Sequence, residues 1–324
     1  MNGRPSAEVE QAAAAYGLDA ASLEPLSSTY RAVAAYRAEN ALLKPYRYSE
    51  RQLFYVTRAL SHLAKCGCTV VPRLIETRRG EPYLRSGRRL WYALTWIPGC
   101  PVSFPTDLVE AARALARFHR AATGCFIPSS DKRSWPRRWR QIRTDLAEFA
   151  REAAAGATPF DILYSQAAPI FIGQAEACIA ALNQPAYTHL ESVRRQRLAF
   201  AHRDATAANL IRGEQGRVYL IDPDTLGPDL RLHDLTRMLL SGGVEDPEPL
   251  VEAIAAYDRI APLEQAERLL LPAAYRLPRE FWWAGVCRYR HGRPDFDPEE
   301  LLRIAIAGAP GRDACAERIQ VVLS

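Results

Sequence analysis

Residues 202–209, His-Arg-Asp-Ala-Thr-Ala-Ala-Asn, are the most informative stretch of the chain. Asp204 is followed five residues later by Asn209, and a second aspartate, Asp222, ends the apolar run 218–221. An aspartate, an asparagine and, beyond a short hairpin, another aspartate form an arrangement that phosphoryl transfer to a hydroxyl group can use. His, Asp and Asn are also common in loops, so the string by itself leaves a chance occurrence open.

The residues between Asn209 and Asp222 predict how the two side chains meet. Residues 210–212 and 217–221 are short apolar runs joined by Gly-Glu-Gln-Gly, which predicts a β-hairpin. Pairing around this turn would place Asn209 and Asp222 nearly opposite each other, on strands about 4.8 Å apart. One Mg²⁺ ion could then bridge their oxygens, because magnesium takes hard oxygen ligands. Asp204 would be free to accept the proton of an attacking hydroxyl.

Lys44 is the candidate phosphate-binding cation. Only three of the 42 basic residues are lysines, so a site that keeps lysine needs a reason. Lys44 follows the strand-like run 41–43, from which a compact ammonium can reach nucleotide phosphates. The alternative is a surface lysine at a strand end. In the next predicted helix, 49–66, Ser49 is a candidate N-cap and Glu50 the only acid. Glu50 is therefore the candidate partner of Lys44, although an acid there also favours the helix dipole.

Length and composition restrict the class of protein. With 324 residues and 48% hydrophobic content, the chain can bury a large core and form two lobes. No apolar run is long enough to span a bilayer, and the alanine-rich N-terminus lacks the pattern of a signal peptide. The seven cysteines do not have the spacing of a usual zinc site. These features predict a soluble protein with reduced thiols, a cytoplasmic localisation and no membrane partner.

The net charge and its distribution along the chain indicate which kinds of partner the protein can bind. The net charge of +5 is small for a nucleic-acid binder. Charge is positive over 1–197 and negative over 198–324, which suits a nucleotide on one side and a neutral or cationic acceptor on the other. Segment 132–143 mixes basic residues with tryptophans and could contact nucleic acid. Helical spacing favours an amphipathic helix instead, with no nucleic-acid partner. The spaced residues are Trp135, Trp139, Ile142, Leu146 and Phe149.

Predicted elements fall into two groups along the chain. Strand-like runs are expected at 30–36, 41–44, 70–76 and 90–96, with the helix 49–66 between them. A clear helix is expected at 107–123, and the remainder is mainly helical apart from the hairpin. This pattern predicts an α+β fold. Its two parts are a nucleotide-binding lobe, 1–97, and a helical lobe with the catalytic loop and the acceptor site, 98–324.

Together these segments resemble the protein-kinase-like fold of aminoglycoside and choline phosphotransferases, and most closely the CotS-type spore-coat kinases of endospore-forming bacteria. The similarity covers nearly the whole chain, with its main motifs at 41–44, 63–67, 96–99, 115–119, 202–209, 218–224 and 233–235. The resemblance implies two lobes, the first rich in β-structure. It also implies an enzyme that uses ATP and Mg²⁺ to phosphorylate a hydroxyl of a small molecule. Deposition in the spore coat, with other coat proteins as partners, is a further implication.

The resemblance assigns a role to each candidate site residue. It makes Asp204 the catalytic base and makes Asn209 and Asp222 the metal ligands. It places Lys44 against the α- and β-phosphates. The backbone that would receive the adenine is that of Thr95, Trp96 and Ile97.

The chain also departs from the family pattern. Its phosphate loop is represented only by Ser27, Ser28 and Thr29, which lack the conformational freedom of glycine. Pro223 follows the metal aspartate and stiffens its backbone. Both features favour an alternative function, a weak or inactive kinase fold that serves as a structural component of the spore coat.

Two further features concern the acceptor and the loop. Eleven residues separate Asp222 from Asp234, too few for the activation loop of a protein kinase, which favours a small-molecule acceptor. Asp234 is expected to brace the catalytic loop from the following helix.

Overall fold

The computed structural model describes residues 6–28, 31–126, 134–182, 185–291 and 296–324. Its larger sheet is wholly antiparallel, in the order β1-β2-β3-β6-β4 with β5 also pairing with β6. The strands are β1 (Glu24–Ser28), β2 (Arg31–Ala38), β3 (Ala41–Tyr46), β4 (Leu74–Ile75), β5 (Leu84–Ser86) and β6 (Arg89–Thr95). The predicted strand 70–76 is reduced to two residues. Pro72, which has no backbone N–H to donate to a ladder, interrupts it.

Two helices cover the faces of this sheet. They are α1 (Ala7–Tyr16) and α2 (Glu50–Lys65). Because side chains alternate along a strand, Trp91 and Ala93 of β6 pack in the cluster formed with α1, whereas Tyr92 and Leu94 pack in the core shared with α2. Ser49 caps α2 as predicted, since its hydroxyl accepts a hydrogen bond from the backbone of Gln52 at 3.3 Å.

A second sheet carries the predicted hairpin. Its strands are β7 (Cys100–Pro101), β8 (Leu210–Arg212) and β9 (Val218–Leu220), in that order. The hairpin is confirmed, with Leu210 opposite Leu220, whereas β7 was not predicted. At Gly99 a side chain would overlap the carbonyl of Arg212, so glycine allows the chain to approach β8 closely as it leaves the larger sheet.

The rest of the described chain is mainly helical. The helices are α3 (Leu108–Ala121), α4 (Trp135–Ala155), α5 (Pro159–Leu182), α6 (Pro185–Gln196), α7 (Arg231–Leu240), α8 (Pro247–Ile260), α9 (Gln265–Arg276), α10 (Arg279–Val286), α11 (Pro298–Ala307) and α12 (Ala309–Leu323). α4 packs against α5, and α3 against α8. Among the described residues, no helix has the length and apolar character needed to cross a membrane.

The amphipathic interpretation of the tryptophan-rich segment is confirmed. All five spaced apolar residues of α4 are buried: Trp135, Trp139, Ile142, Leu146 and Phe149. Arg137, Arg140 and Arg143 lie on its exposed face. The basic residues of α4 are therefore largely on its solvent-exposed face, opposite the buried aromatic residues. Lys132 is not among the described residues.

Candidate active site

The catalytic loop runs from His202 to Asn209 and leads into β8. The carboxylate of Asp204 is held on both oxygens. Oδ1 accepts a hydrogen bond from Nη2 of Arg237 at 2.7 Å, and Oδ2 accepts one from Nδ2 of Asn209 at 2.9 Å. About a third of the Asp204 side chain remains exposed. The loop therefore fixes a carboxylate in place while leaving it accessible to a ligand.

Asp234, in the first turn of α7, supports this loop from beneath. Its two oxygens accept hydrogen bonds from the backbone amides of His202 and Arg203, each at 2.6 Å. Burial by itself would raise the pKa of Asp234, but the hydrogen bond from His119 and the neighbouring histidine rings hold that pKa below its ordinary value. A fully buried carboxylate thus stays ionised and anchors the loop, as predicted.

A histidine and a tyrosine extend the support of Asp234 into the helical core. Nε2 of His119, on α3, lies 3.0 Å from Asp234, and its Nδ1 lies 2.7 Å from the hydroxyl of Tyr257, on α8. Burial lowers the pKa of His119, which favours the neutral ring. A neutral His119 donates from Nε2 to Asp234 and accepts from Tyr257 at Nδ1.

The loop backbone is strained at Arg203, whose φ is 71°. Its side chain is buried and lies over Gly227. A Cβ at Gly227 would lie 2.9 Å from Cζ of Arg203 and closer still to Nη1. Gly227 also exchanges backbone hydrogen bonds with Ala201, at 2.9 and 3.1 Å. The glycine therefore makes room for the arginine that the turn of the loop directs inwards.

Lys44 binds the two aspartates that follow the hairpin. It forms ion pairs with Asp222 and with Asp224, the second at 2.9 Å. Burial by itself would lower the pKa of Lys44, but the charges of Asp224 and Asp222 outweigh burial and raise it, so the ammonium stays charged. Burial acts to raise the pKa of Asp222, and the Lys44 charge brings it below the ordinary value.

Asp224 is the most buried member of this cluster, with 3% of its side chain exposed. Lys44 and Tyr46 on β3, and Tyr92 directly across from Lys44 on β6, all reach it. The hydroxyl of Tyr92 donates to its carboxylate, and that of Tyr46 donates to its backbone carbonyl at 3.0 Å. Burial and the neighbouring Asp222 raise the pKa of Asp224. The larger sheet is thereby tied to the segment after β9.

Pro223 does not remove Asp222 from the site. Asp222 adopts a left-handed backbone conformation, with φ of 57°, and Pro223 begins a short 3₁₀ turn, Pro223–Thr225. In this geometry the carboxylate of Asp222 still contacts Lys44. A left-handed non-glycine residue is costly, and such residues cluster at functional sites.

The predicted pairing of Lys44 with Glu50 is wrong. Glu50 forms an ion pair with Arg85 of β5, and both side chains are about half exposed. Lys44 instead uses Asp222 and Asp224. Because Glu50 lies in the first turn of α2, the structure agrees with the other interpretation of this residue, a favourable charge at the helix N-terminus.

Two of the three backbone amides expected to receive adenine already donate hydrogen bonds within the protein. The amide of Thr95 donates to Arg73 at 2.9 Å, and that of Trp96 donates to Asn40 at 2.8 Å. The amide of Ile97 donates to no other described residue. Ile97 is thus the open amide of the three.

Of the predicted phosphate loop, Ser27 and Ser28 end β1 at its turn towards β2. Thr29 lies outside the described residues.

Residues 22–270 match the model of the phosphotransferase enzyme family APH. The chain belongs to this family. Spore coat protein S of Bacillus subtilis (strain 168) is 23% identical over 271 residues, which cover 80% of this chain and 77% of that protein. The predicted aminoglycoside/choline phosphotransferase superfamily, with its similarity to spore-coat proteins, is confirmed.

Solved structures show that this APH-family chain has the kinase-like two-lobed fold. An aminoglycoside phosphotransferase from Alicyclobacillus acidocaldarius subsp. acidocaldarius DSM 446 matches with a TM-score of 0.78 at 20% identity, covering 89% of each chain. Amicoumacin kinase hAmiN, solved with AMP-PNP, Ca²⁺ and Ami, matches with a TM-score of 0.62 at 15% identity, covering 97% of this chain and 94% of that one. The α+β class is confirmed, and so is the prediction that the chain belongs to a phosphotransferase enzyme family.

The residues of this APH-family member suit a magnesium ion. Asn209 uses its Nδ2 on Asp204, which leaves Oδ1 available, and Asp222 has 32% of its side chain exposed. Among the described residues, no group of three or more histidine, cysteine, aspartate or glutamate side chains could hold a metal. Magnesium does not need one, because it binds through one or two protein oxygens together with phosphate and water.

Sequence reasoning missed two members of the site. Asp224 could have been suspected from its position, since it lies two residues beyond Asp222 and directly after Pro223. Arg237 carried no signal of its own, because its role depends on α7 placing it beside Asp204.

Proposed function

We propose that this chain transfers the γ-phosphoryl group of ATP to a hydroxyl group of a small molecule, with Mg²⁺ as its metal. The observation that carries the proposal is that the four candidate residues, which are distant in sequence, lie close together in the fold. Lys44 from the larger sheet contacts Asp222, while Asn209 contacts Asp204 and its carbonyl accepts the amide of Ile221 at 2.9 Å. A structural protein would have no need of this set.

Asp204 would act as the base. A substrate hydroxyl beside its accessible carboxylate could donate a hydrogen bond and then its proton. The hydroxyl oxygen forms a bond to the γ-phosphorus, the bond from that phosphorus to the bridging oxygen breaks, and ADP leaves with the electron pair. Arg237 and Asn209 restrict the orientation of the carboxylate, so positioning is built into the loop before substrate arrives.

Asn209 and Asp222 would hold Mg²⁺, and Lys44 would contact the phosphates. The metal would supply positive charge to the β- and γ-phosphate oxygens when it is bound. Lys44 keeps its proton in the resting site because two carboxylates surround it. It can therefore exchange a carboxylate oxygen for a phosphate oxygen without a change in its own charge.

The nucleotide would lie between the larger sheet and the hairpin. We place the adenine at the backbone of Thr95, Trp96 and Ile97, and the phosphate loop at Ser27, Ser28 and Thr29. The division between the nucleotide-binding and helical lobes is proposed at residues 97 and 98, just after β6 ends.

Similarity to spore coat protein S supports a place in the spore coat, reached from the cytoplasm, with other coat proteins as partners. The same similarity leaves one alternative, a kinase fold that only contributes structure to the coat. Pro223 and the missing glycines near Ser27 favour it.

A thermal-shift titration with Mg·ATP separates these functions. Millimolar nucleotide should raise the melting temperature, because a ligand at one hundred times its Kd stabilises the folded state by about 2.7 kcal/mol. Lys44→Met should lose most of the shift. Lys65→Met is the matched control, since Lys65 is an exposed lysine at the end of α2, and it should respond like the wild type.

Asp204→Asn tests the chemistry separately from binding. This variant should keep the nucleotide shift but lose ADP release and phosphate addition, measured by mass spectrometry on a panel of neutral, cationic and anionic hydroxyl compounds. Absence of any shift in the wild-type protein would contradict the kinase proposal. A shift with no phosphate addition to any compound would favour the structural alternative.

A further inference from the structure

A cavity of about 470 Å³ opens beside the proposed base. Thr206, two residues beyond Asp204, and Arg237, which binds Asp204 at 2.7 Å, both line it. Its volume lies in the range of sites for small organic ligands. Given the proposed kinase function, on which this inference rests, the cavity is where an acceptor would place its hydroxyl.

The charged side chains of this cavity are mainly cationic. Three arginines line it, Arg138 from α4, Arg237 from α7 and Arg279 from α10, together with one acid, Glu280. The carboxylate of Glu280 is already paired at 2.8 Å with Arg312, which does not line the cavity. Arg237 is likewise paired, with Asp204, so the excess of positive charge on the wall comes from Arg138 and Arg279.

Arg279 has donor atoms that the described residues leave without a partner. Its Nε and Nη1 are inaccessible to solvent and have no hydrogen-bond partner among the described residues. Burial, with the charges of Arg138 and Arg237 adding to it, lowers the pKa of Arg279 to about 10. Nε of Arg237 is buried and unpartnered in the same way. Unmet donors leave a buried charge costly, and an anion in the cavity would offset the charge of these guanidinium groups.

The apolar wall is also shaped for a ligand. Trp282 lines the cavity, and its indole N–H is fixed by a hydrogen bond to Oδ2 of Asp145 at 2.8 Å. Trp283 lies beside it, with ring centroids 6.1 Å apart, and Leu301 lines the same cavity. Two tryptophans with one ring held in position offer a broad apolar surface to the carbon framework of an acceptor.

We infer that the acceptor is a hydroxyl compound that carries a negatively charged group, a carboxylate or a phosphate, bound by Arg279 and Arg138 while its hydroxyl faces Asp204. A polycationic acceptor would meet three arginines in this cavity, an unfavourable arrangement of like charges. This inference differs from the expectation of a neutral or cationic acceptor, which came from the acidic balance of residues 198–324.

Four sugars with the same ring test this inference: glucose, glucosamine, glucuronate and glucose 6-phosphate. Their binding is measured by calorimetry in the presence of Mg·AMP-PNP, and their phosphorylation by ADP release with Mg·ATP. At least one anionic sugar should bind at least tenfold more tightly than glucosamine. The preferred anion distinguishes a carboxylate acceptor from a phosphate acceptor.

Substitutions of the cavity arginines test which side chains cause the preference for anionic sugars. Arg279→Met and, as a second variant, Arg138→Met should each reduce the anion preference about tenfold and leave the Mg·ATP thermal shift unchanged. Arg140→Met, an exposed arginine two residues beyond Arg138 on the same helix, should keep the preference.

Two results would overturn the inference: neither anionic sugar binding more tightly than glucosamine, or a preference that survives both substitutions. Loss of the Mg·ATP shift in the wild-type protein would instead mean that the proposed kinase function has failed.

Discussion

Replacing Asp234 with asparagine should damage both stability and catalysis. The carboxylate receives three donors: the amides of His202 and Arg203 at 2.6 Å and Nε2 of His119 at 3.0 Å. Oδ2 accepts from His202 and His119, and Oδ1 accepts from Arg203. Asparagine has one acceptor oxygen and one NH₂ group. In its better orientation, the NH₂ group must face the amide of Arg203.

The expected loss of stability in Asp234→Asn follows from these three hydrogen bonds. A hydrogen bond to a charged group contributes about 1.5–3 kcal/mol, and a buried donor left without a partner costs about 1–3 kcal/mol. Asp234→Asn weakens the two bonds that remain and turns the third into a clash of donors. We therefore expect the free energy of unfolding to fall by about 3–5 kcal/mol.

Catalysis should suffer because the same amides fix the backbone that carries Asp204. A displacement of about 1 Å at a reacting group can lower the rate about a hundredfold. Stability is measured by guanidinium denaturation, and kcat by ADP release under conditions where the variant is folded. Glu176→Gln is the control, since its ion pair with Arg143 is about half exposed and should contribute less than about 1 kcal/mol. A loss of stability under 1 kcal/mol, or an unchanged kcat, would refute the bracing role of Asp234.

Two further predictions concern the core around the loop. Burial lowers the pKa of His119 and of His233 below 6.5. Their contribution to the free energy of unfolding is therefore full above pH 6.5 and is lost as pH falls below it, at up to about 1.4 kcal/mol per pH unit for each histidine. Denaturation series from pH 7 to 5 measure this slope. His233→Phe should remove about half of that slope, and an unchanged slope would rule out this histidine as a source. Gly227→Ala should cost about 1–3 kcal/mol by displacing buried Arg203, whereas Gly173→Ala, exposed in α5 with open space around it, should add about 0.5–1 kcal/mol. Equal effects of the two alanines on the denaturation midpoint would contradict the close contact.

Elements with a regular apolar period were predictable from the sequence alone. Trp135 and Trp139 begin a spacing that only a helix can bury on one side, and α4 has that form. Ser49 similarly marked the start of α2 because a serine there accepts a backbone hydrogen bond. Local patterns decide such cases, since the interacting residues lie within a few positions of each other.

Contacts between distant elements were not predictable in the same way. Glu50 and Asp224 are both acids that could pair with Lys44, and their separation in sequence says nothing about which one does. Asp224 is chosen because the sheet aligns Lys44 with Tyr92, whose hydroxyl holds the same carboxylate. Glu50 has Arg85 close by on β5 instead.

The charge of the cavity beside Asp204 shows a similar limit of sequence reasoning. The segment 198–324 is acidic overall, yet it contributes Arg237 and Arg279 to the cavity. A net charge is a sum over a surface and does not indicate which side chains face a particular site. Arg138 joins them from a helix outside that segment, so the cluster exists only after folding.

The two aspartates around Pro223 differ in exposure, and this difference suggests a division of tasks. Asp224, almost wholly buried, is held by Tyr92 and Lys44 and fastens the hairpin segment to the larger sheet. Asp222 keeps a third of its side chain exposed, in a strained conformation that directs it to Lys44. With one ammonium between two carboxylates, the cluster is anionic whenever both acids are ionised. In the proposed reaction the exposed member would therefore exchange Lys44 for a bound cation, while the buried member would keep the lysine beside the phosphates.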